Sequence, residues 1–219
     1  MKTYRDHYFK KAKQDNYPAR SVYKLEEIDK PLRLLVPGAA VLDLGACPGS
    51  WTLYAAGRVG QTGRVLAVDL NEAGVAFPGN VTYLTGDMLD PGPDIRDAFA
   101  RLGPFDVVLS DMAPKTTGVK FTDQARSLEL CEAALGVALA RLTPGGAFVV
   151  KIFQGPDAPA FQKGLRAYFD KVRVVKPKSS RAESKEIFYV ATGFRPSAAE
   201  LPEPDPPPLP AGGGPATNG

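Results

Sequence analysis

VLDLGACPGSW, residues 41–51, joins an apolar run to a turn rich in glycine. The apolar residues 41–45 predict a buried strand, and residues 50–59 behind the turn predict a helix. Gly45 and Gly49 allow the backbone of such a turn to approach a ligand closely. The turn lacks the G-x-G-x-x-G spacing of a dinucleotide pyrophosphate site. The acid before the turn, Asp43, therefore suits a cationic ligand better than a phosphate.

Outward from this motif, strand-like and helix-like stretches alternate along the chain. Further strands are predicted at residues 64–70, 81–87, 106–112 and 146–153, and helices at 95–102, 123–142 and 158–169. This alternation is typical of an α/β protein with a doubly wound, mostly parallel sheet. Two final strands, 171–176 and 186–194, are joined by too few residues for a crossover helix, so we expect them to be antiparallel. The prediction is a seven-stranded sheet with an antiparallel last strand.

The composition predicts one globular domain of residues 1–195, followed by a disordered tail. The tail, residues 196–219, has eight prolines and four glycines and no large aromatic residue, which is typical of disorder. No apolar run reaches the roughly 18–20 residues that span a bilayer, and no secretory signal is expected. Two cysteines without metal-ligand spacing predict neither a metal site nor a disulfide framework, and favour a cytoplasmic protein.

Two basic clusters stand out although the net charge is only +3. Residues 1–24, the N-terminal cluster, carry seven basic and two acidic residues, with tyrosines and a phenylalanine interleaved. Residues 171–185, the C-terminal cluster, carry six basic residues and one acid. Such clusters suit a polyanionic partner, although charge alone is equally consistent with a solvated face.

Two acids end predicted strands next to the turn. Asp69 lies where an acid binds ribose hydroxyls in this topology, and Asp87 is placed to accept a hydrogen bond from an adenine amino group. The alternative is that each acid only makes a local turn. Together with Asp43 these acids favour S-adenosylmethionine, which combines adenine and ribose with a sulfonium and has no phosphate.

Four further motifs make the chain resemble a known family. They are SVYKL at 21–25, SDMAP at 110–114, VVKIFQG at 149–155 and SSRAESKE at 179–186. With the turn at 43–51, they resemble the RrmJ/FtsJ family of 2′-O-ribose RNA methyltransferases over about residues 17–194. The resemblance implies a Rossmann-like methyltransferase fold and S-adenosylmethionine as cofactor.

The resemblance also implies the site residues. The catalytic tetrad it implies is Lys24, Asp111, Lys151 and Glu186. The cofactor contacts it implies are Gly49, Trp51, Asp69, Asp87 and Asp111. Ser50 departs from the family, in which a glycine is expected.

Lys151 is the expected general base. A ribose hydroxyl becomes a better nucleophile as its proton is removed, and a lysine can remove the proton only in its neutral form. A buried strand and a neighbouring positive charge at Lys24 favour that form. Asp111 and Glu186 are expected to orient Lys151. Judged without the resemblance, Lys24 and Glu186 lie in polar segments and would be taken for surface charges.

The compact bacterial members of the family methylate a uridine of the large-subunit 23S rRNA, and the same substrate is expected here by analogy. Transfer RNA or a messenger cap are the alternative substrates. A non-catalytic RNA-binding protein and a nicotinamide-dependent oxidoreductase are the competing functions. No membrane association is expected, and we expect a monomer.

Overall fold

The computed structural model describes residues 2–181 and 183–196. All but the first residue of the predicted tail thus lies outside the described residues. The helices are α1 Lys2–Gln14, α2 Val22–Leu32, α3 Ser50–Val59, α4 Pro93–Leu102, α5 Lys120–Arg141 and α6 Ala158–Leu165. The strands are β1 Ala40–Leu44, β2 Arg64–Asp69, β3 Val81–Thr85, β4 Phe105–Ser110, β5 Leu142–Phe153, β6 Phe169–Val175 and β7 Glu186–Phe194.

The strands form one seven-stranded sheet in the order β3-β2-β1-β4-β5-β7-β6. β1 to β5 pair in parallel, and β7 runs antiparallel to both β5 and β6. The predicted fold class is therefore confirmed. Because β7 lies between β5 and β6, its direction places its first residue beside the carboxyl end of β5.

Both faces of the sheet are covered, as the apolar strands predict. One core packs α4, α5 and α6 against one face, and the other packs α1, α2 and α3 against the opposite face. β5 alternates between them, with Phe148 and Val150 in the first core and Val149 in the second. Lys151 follows the period of Val149 and so points to the α2–α3 face.

The two N-terminal helices were not predicted. α2 buries Val22, Leu25 and Ile28, which recur every three residues, and this spacing was a detectable helical signal. α1 packs against the same core through Ala12. In this segment the basic residues indicate a polyanionic partner more plainly than the apolar residues indicate a helix.

Several predicted boundaries were wrong by a few residues. β5 begins at Leu142 and not at 146, and α6 ends at Leu165 and not at 169. β5 starts earlier than its apolar run suggests, because pairing with a neighbouring strand and not local composition determines where a strand starts. After α6 the chain forms a turn at residues 166–168 before β6 begins. In the described part of the chain, no helix is long and apolar enough to cross a membrane.

Candidate active site

The carboxyl ends of β1, β2 and β4 and the first residue of β7 meet at one edge of the sheet. Asp69 is the last residue of β2, Asp111 follows the last residue of β4, and Glu186 is the first residue of β7. Lys151 pairs in register with Phe188, and Phe153 pairs with Glu186. Lys151 and Glu186 are therefore diagonal neighbours on one face of the sheet.

Lys151 is buried and paired with Asp111. Its side chain is 8% exposed, and Nζ lies 2.8 Å from Asp111 Oδ1. The hydrogen bond itself is donated to the main-chain carbonyl of Asp111, at 2.5 Å, and Oδ1 has no hydrogen-bond partner among the described residues. Nζ thus contacts both the carboxylate and the main-chain carbonyl of Asp111, and the carbonyl fixes the direction of the ammonium group. Lys151 therefore does not point outward from β5 into solvent.

Lys24 and Glu186 form the second ion pair. Lys24 Nζ lies 2.7 Å from Glu186 Oε1, with side-chain exposures of 14% and 12%. The ammonium of Lys24 also lies 5.9 Å from the ring centre of Phe188. The polar segments alone would suggest surface charges, but α2 packs over the start of β7 and removes most of both side chains from water.

Glu186 is held by more than Lys24. Ser180 Oγ donates a hydrogen bond of 2.9 Å to the same Oε1. Burial alone would raise the pKa of Glu186, but the charge and hydrogen bond of Lys24, the Ser180 hydroxyl and the charge of Lys151 together lower it. The influence of Lys151 on Glu186 shows that the two ion pairs form one electrostatic cluster.

Lys176 adds a third cation to this electrostatic cluster. The sequence predicts Lys176 as part of a polyanion-binding surface, the C-terminal cluster. Its Nζ donates to the main-chain carbonyls of Glu186 at 2.5 Å and Ser184 at 2.6 Å. Burial and the charge of Lys24 lower the pKa of Lys176, and Glu186 opposes that shift. Lys171 and Arg173 of the same basic cluster are exposed on β6, so the C-terminal cluster divides between the site and the edge of the sheet.

The glycine-rich turn is fastened to the end of β2. The main-chain N–H of Cys47 donates to Asp69 Oδ2 at 3.0 Å, and that of Gly45 donates to the carbonyl of Val68 at 2.9 Å. Asp69 Oδ1 accepts from the main-chain N–H of Asn71 at 2.8 Å. Both carboxylate oxygens of Asp69 therefore accept hydrogen bonds from main-chain N–H groups, one in the glycine-rich turn and one just after β2.

Both glycines of the turn are required by close contacts within the chain. Gly45 has φ +74°, and a Cβ there would lie 2.4 Å from Met112 Cγ. Gly49 has φ +101°, and a Cβ there would lie 2.8 Å from Phe77 Cζ. The groups that approach these glycines are side chains of this protein, and the close approach of a ligand stays a prediction.

Asp43 is the acid that the turn motif singled out, and it is fully buried below the turn. Its Oδ2 accepts a hydrogen bond of 2.7 Å from Thr52, while Oδ1 has no partner in the described part of the chain. Burial raises the pKa of Asp43 to about 7 against the Thr52 hydrogen bond, and the charges of Asp111 and Asp69 contribute to the increase. A buried carboxylate beside two others is a site of strong negative potential, which favours a cation.

The other predicted cofactor contacts lie in different settings. Trp51 is 3% exposed, its Nε1 donates to the carbonyl of Ser21 at 2.9 Å, and its ring packs against Phe188. Only its main chain, in the first turn of α3, is available to a ligand. Asp87 is exposed, and its Oδ1 accepts from the main-chain N–H of Leu89 at 2.8 Å, which is the local turn that the alternative interpretation described. Both remain predictions as cofactor contacts.

Ser50, the departure from the family pattern, connects the turn to the N-terminal segment. Its Oγ accepts from the main-chain N–H of Ala19 at 2.8 Å and donates to the carbonyl of Ala19 at 3.1 Å. Ser50 is 1% exposed. The hydroxyl therefore satisfies two main-chain groups that a glycine would leave without this partner.

Across the described residues, no group of three or more His, Cys, Asp or Glu side chains is arranged to hold a metal ion. The charged groups at this edge are the two ion pairs, Lys176, and the carboxylates of Asp43 and Asp69.

Comparisons with known proteins identify the family of the chain. The family model of the FtsJ-like methyltransferases matches residues 17–194. The ribosomal RNA large subunit methyltransferase E of Nitratidesulfovibrio vulgaris strain Miyazaki F is 61% identical over 195 residues, covering 89% of this chain and 97% of the relative. The protein of that name from Lawsonia intracellularis is 51% identical over 195 residues, covering 89% and 98%.

One solved structure extends the comparison to the fold. The crystal structure described as a ribosomal RNA methyltransferase from Plasmodium falciparum superposes with a TM-score of 0.72 at 26% identity, covering 81% of this chain and 98% of that one.

Proposed function

The chain belongs to the FtsJ-like methyltransferase family and is an RNA methyltransferase that uses S-adenosylmethionine; we propose that it methylates the ribose 2′-hydroxyl of a uridine in large-subunit 23S rRNA, with Lys151 as general base. The observation that carries the proposal is the meeting of Lys151–Asp111 and Lys24–Glu186 at one edge of the sheet. The names of the close relatives support ribosomal RNA as the substrate.

The residues of the turn region fit this cofactor. Asp43 Oδ1 is a buried acceptor without a partner in the described residues, and the charges of Asp69 and Asp111 both act on Asp43. S-adenosylmethionine is cationic at its sulfonium and amino groups, so three carboxylates suit it. Gly49 and Trp51 would contribute main-chain groups, while Asp69 and Asp87 would hold the ribose and the adenine. When bound, the cofactor supplies an electrophilic methyl group.

The raised pKa of Asp43 makes cofactor binding dependent on pH. Above about pH 7 the carboxylate is charged and attracts the cation, and as the pH falls through 7 it takes up a proton and the attraction is lost. We expect the Kd for S-adenosylmethionine to rise about tenfold between pH 8 and pH 6, the equivalent of one charge-assisted hydrogen bond. Binding at pH 6 should release a proton from Asp43, which calorimetry in buffers of different ionisation enthalpy measures.

Asp43→Asn is the matched control, because the amide oxygen still accepts from Thr52 but carries no charge. This variant should bind the cofactor weakly at both pH values and release correspondingly fewer protons. An equal pH dependence in the variant and the wild type would assign the titration to another group.

The four residues divide the chemical step among them. In its neutral form Lys151 would accept the hydroxyl proton at Nζ, while the bound cofactor would supply the methyl group to the 2′-oxygen. Asp111 orients Nζ through its main-chain carbonyl and its carboxylate. Lys24 and Glu186 close the other side of the site, with Lys24 as a cationic positioner and Glu186 as a second orienting group. General base catalysis of this kind contributes about 10²–10⁴-fold in rate.

The N-terminal cluster is proposed to bind RNA phosphates. In α1, Lys11 lies over the ring of Tyr23 and Lys13 over that of Phe9, contacts that leave the ammonium groups charged. Replacing Lys10, Lys11 and Lys13 together with alanine should reduce the slope of log K against log salt by about two or three, because each phosphate contact releases a counterion. The Kd for the cofactor should not change in this variant. An unchanged slope would mean that RNA enters elsewhere.

The substrate is tested by supplying the purified protein with labelled S-adenosylmethionine and unmethylated RNA. We expect methyl transfer to 23S rRNA, free or in the large subunit, and little to transfer RNA or capped messenger. Mapping of 2′-O-methyl groups should locate a single uridine. Transfer to another RNA would replace the substrate, and RNA binding without transfer would support the non-catalytic alternative.

The remaining expectations are part of the same proposal. We propose that the protein acts as a monomer in the cytoplasm, with the catalytic domain within residues 1–195. The tail of residues 196–219 is proposed to be dispensable for methyl transfer.

A further inference from the structure

Beyond the tetrad, the carboxylate of Glu27 holds the segment that joins β6 to β7. Its Oε2 accepts from the main-chain N–H of Lys178 at 2.5 Å, and its Oε1 accepts from that of Ser179 at 2.9 Å. Both oxygens are thus used on two consecutive N–H groups. A carboxylate is the side chain suited to this, since it offers two acceptors and no donor.

Arg20 holds the same segment at the next peptide unit. Its guanidinium donates a hydrogen bond of 2.5 Å to the carbonyl of Ser179. Ser179 and Ser180 are 1% and 5% exposed, so this part of the segment is inserted below α2. The segment is therefore attached to the residues around Lys24 by three hydrogen bonds.

The attachment leads directly into the catalytic cluster. Ser180 Oγ donates to Glu186 Oε1, the same oxygen that pairs with Lys24. Lys24 and Glu27 are three residues apart on α2 and lie on one face of that helix. The contacts form a closed ring that runs from Lys24 through Glu186, Ser180 and Ser179 to Glu27 and back along α2.

We propose that Glu27 is a positioning residue for methyl transfer, which acts by holding Ser180 against Glu186 and so keeps Glu186 aligned with Lys24 and Lys151. The inference rests on the proposed function for its effect on turnover, but the coupling of Glu27 to Glu186 is a property of the contacts themselves. Glu27 makes no contact with Lys151 or Asp111 in the described structure, so its effect on chemistry is indirect.

The test uses Glu27→Gln, which keeps the size of the side chain but replaces one acceptor with an NH₂ donor that faces a main-chain N–H. We expect kcat to fall about tenfold or more, in line with the loss of a charge-assisted hydrogen bond, while the Kd for S-adenosylmethionine stays within about twofold. Glu27→Asp retains both oxygens and should recover part of the loss. Glu26→Gln is the matched control, since Glu26 pairs on the surface with Lys30, and it should behave as wild type.

A second readout does not depend on turnover. The lowered pKa of Glu186 depends in part on the Ser180 hydrogen bond, so loosening that contact should raise it. Carboxyl carbon NMR of protein labelled at glutamate should show Glu186 titrating at higher pH in Glu27→Gln than in the wild type or in Glu26→Gln.

The outcomes separate the inference from the function on which it rests. Wild-type turnover and an unshifted Glu186 in Glu27→Gln would overturn the inference and leave the function standing. Lower turnover with an unshifted Glu186 and a reduced Tm would make Glu27 merely structural and would also overturn it. A shifted Glu186 in a protein that transfers no methyl group to rRNA would support the coupling and refute the function.

Discussion

Replacing Lys151 with alanine should reduce methyl transfer at least about 100-fold and leave the Kd for S-adenosylmethionine within about twofold. Lys151 contacts Asp111 in the buried part of the site, and the proposed mechanism directs it to the hydroxyl of the substrate and not to the adenosyl group. Single-turnover rates with bound RNA measure the chemical step, and calorimetry measures the cofactor. Lys163→Ala, which removes an exposed lysine from α6, is the control for an unspecific loss of charge.

Lys151→Arg separates a base from a fixed positive charge. An arginine retains the charge that pairs with Asp111 but does not release its proton at any accessible pH. The arginine variant should therefore be about as inactive as the alanine variant. Retention of more than about a tenth of the wild-type rate in either variant would be inconsistent with a general base of the expected strength.

Breaking the pair of Lys24 and Glu186 should have the second largest effect, and it should appear in stability as well as in activity. Both side chains are largely removed from water, so removal of either one leaves a buried charge without its partner. We expect Lys24→Ala or Glu186→Ala to lower the free energy of unfolding by about 3 kcal/mol. Because the folded-state pKa of Glu186 is lowered, this contribution is present at neutral pH and is lost as the pH falls through that pKa.

A double-mutant cycle by urea denaturation isolates the interaction. The double variant should be little less stable than either single variant, which corresponds to a coupling energy of about 2 kcal/mol. Glu26 and Lys30 provide the matched comparison, because their separation is also 2.7 Å but Lys30 is 69% exposed. Their coupling should be at most about 0.5 kcal/mol. Equal coupling in the two pairs would mean that burial does not strengthen the Lys24–Glu186 contact.

Local patterns in the sequence were sufficient for the sheet and for part of the site. Apolar runs that alternate with helical spacing determine a doubly wound sheet, because parallel strands need crossovers that bury both faces. The short connection before residue 186 required an antiparallel β7. Lys151 was also recognisable, because a lysine inside an apolar strand is costly unless it is paired. The family of the chain followed from motifs that are contiguous in sequence.

Only the tertiary structure could determine what surrounds these residues. The burial of Lys24 and Glu186 results from α2 packing over the start of β7, and the two residues are separated by most of the chain. The raised pKa of Asp43 arises first from its burial below the turn, and the charges of Asp111 and Asp69 add to it. The hydrogen bonds of Glu27 to the segment before β7 join residues about 150 positions apart.

The physical reason for this division is that some interactions act between neighbours along the chain and others between residues that are close only in space. Period, strand propensity and turn chemistry act between neighbours along the chain, so a sequence displays them directly. Desolvation and Coulomb interactions depend on distances in space and on the exclusion of water. Those quantities exist only once α2, the glycine-rich turn and β7 have been brought to the same edge of the sheet.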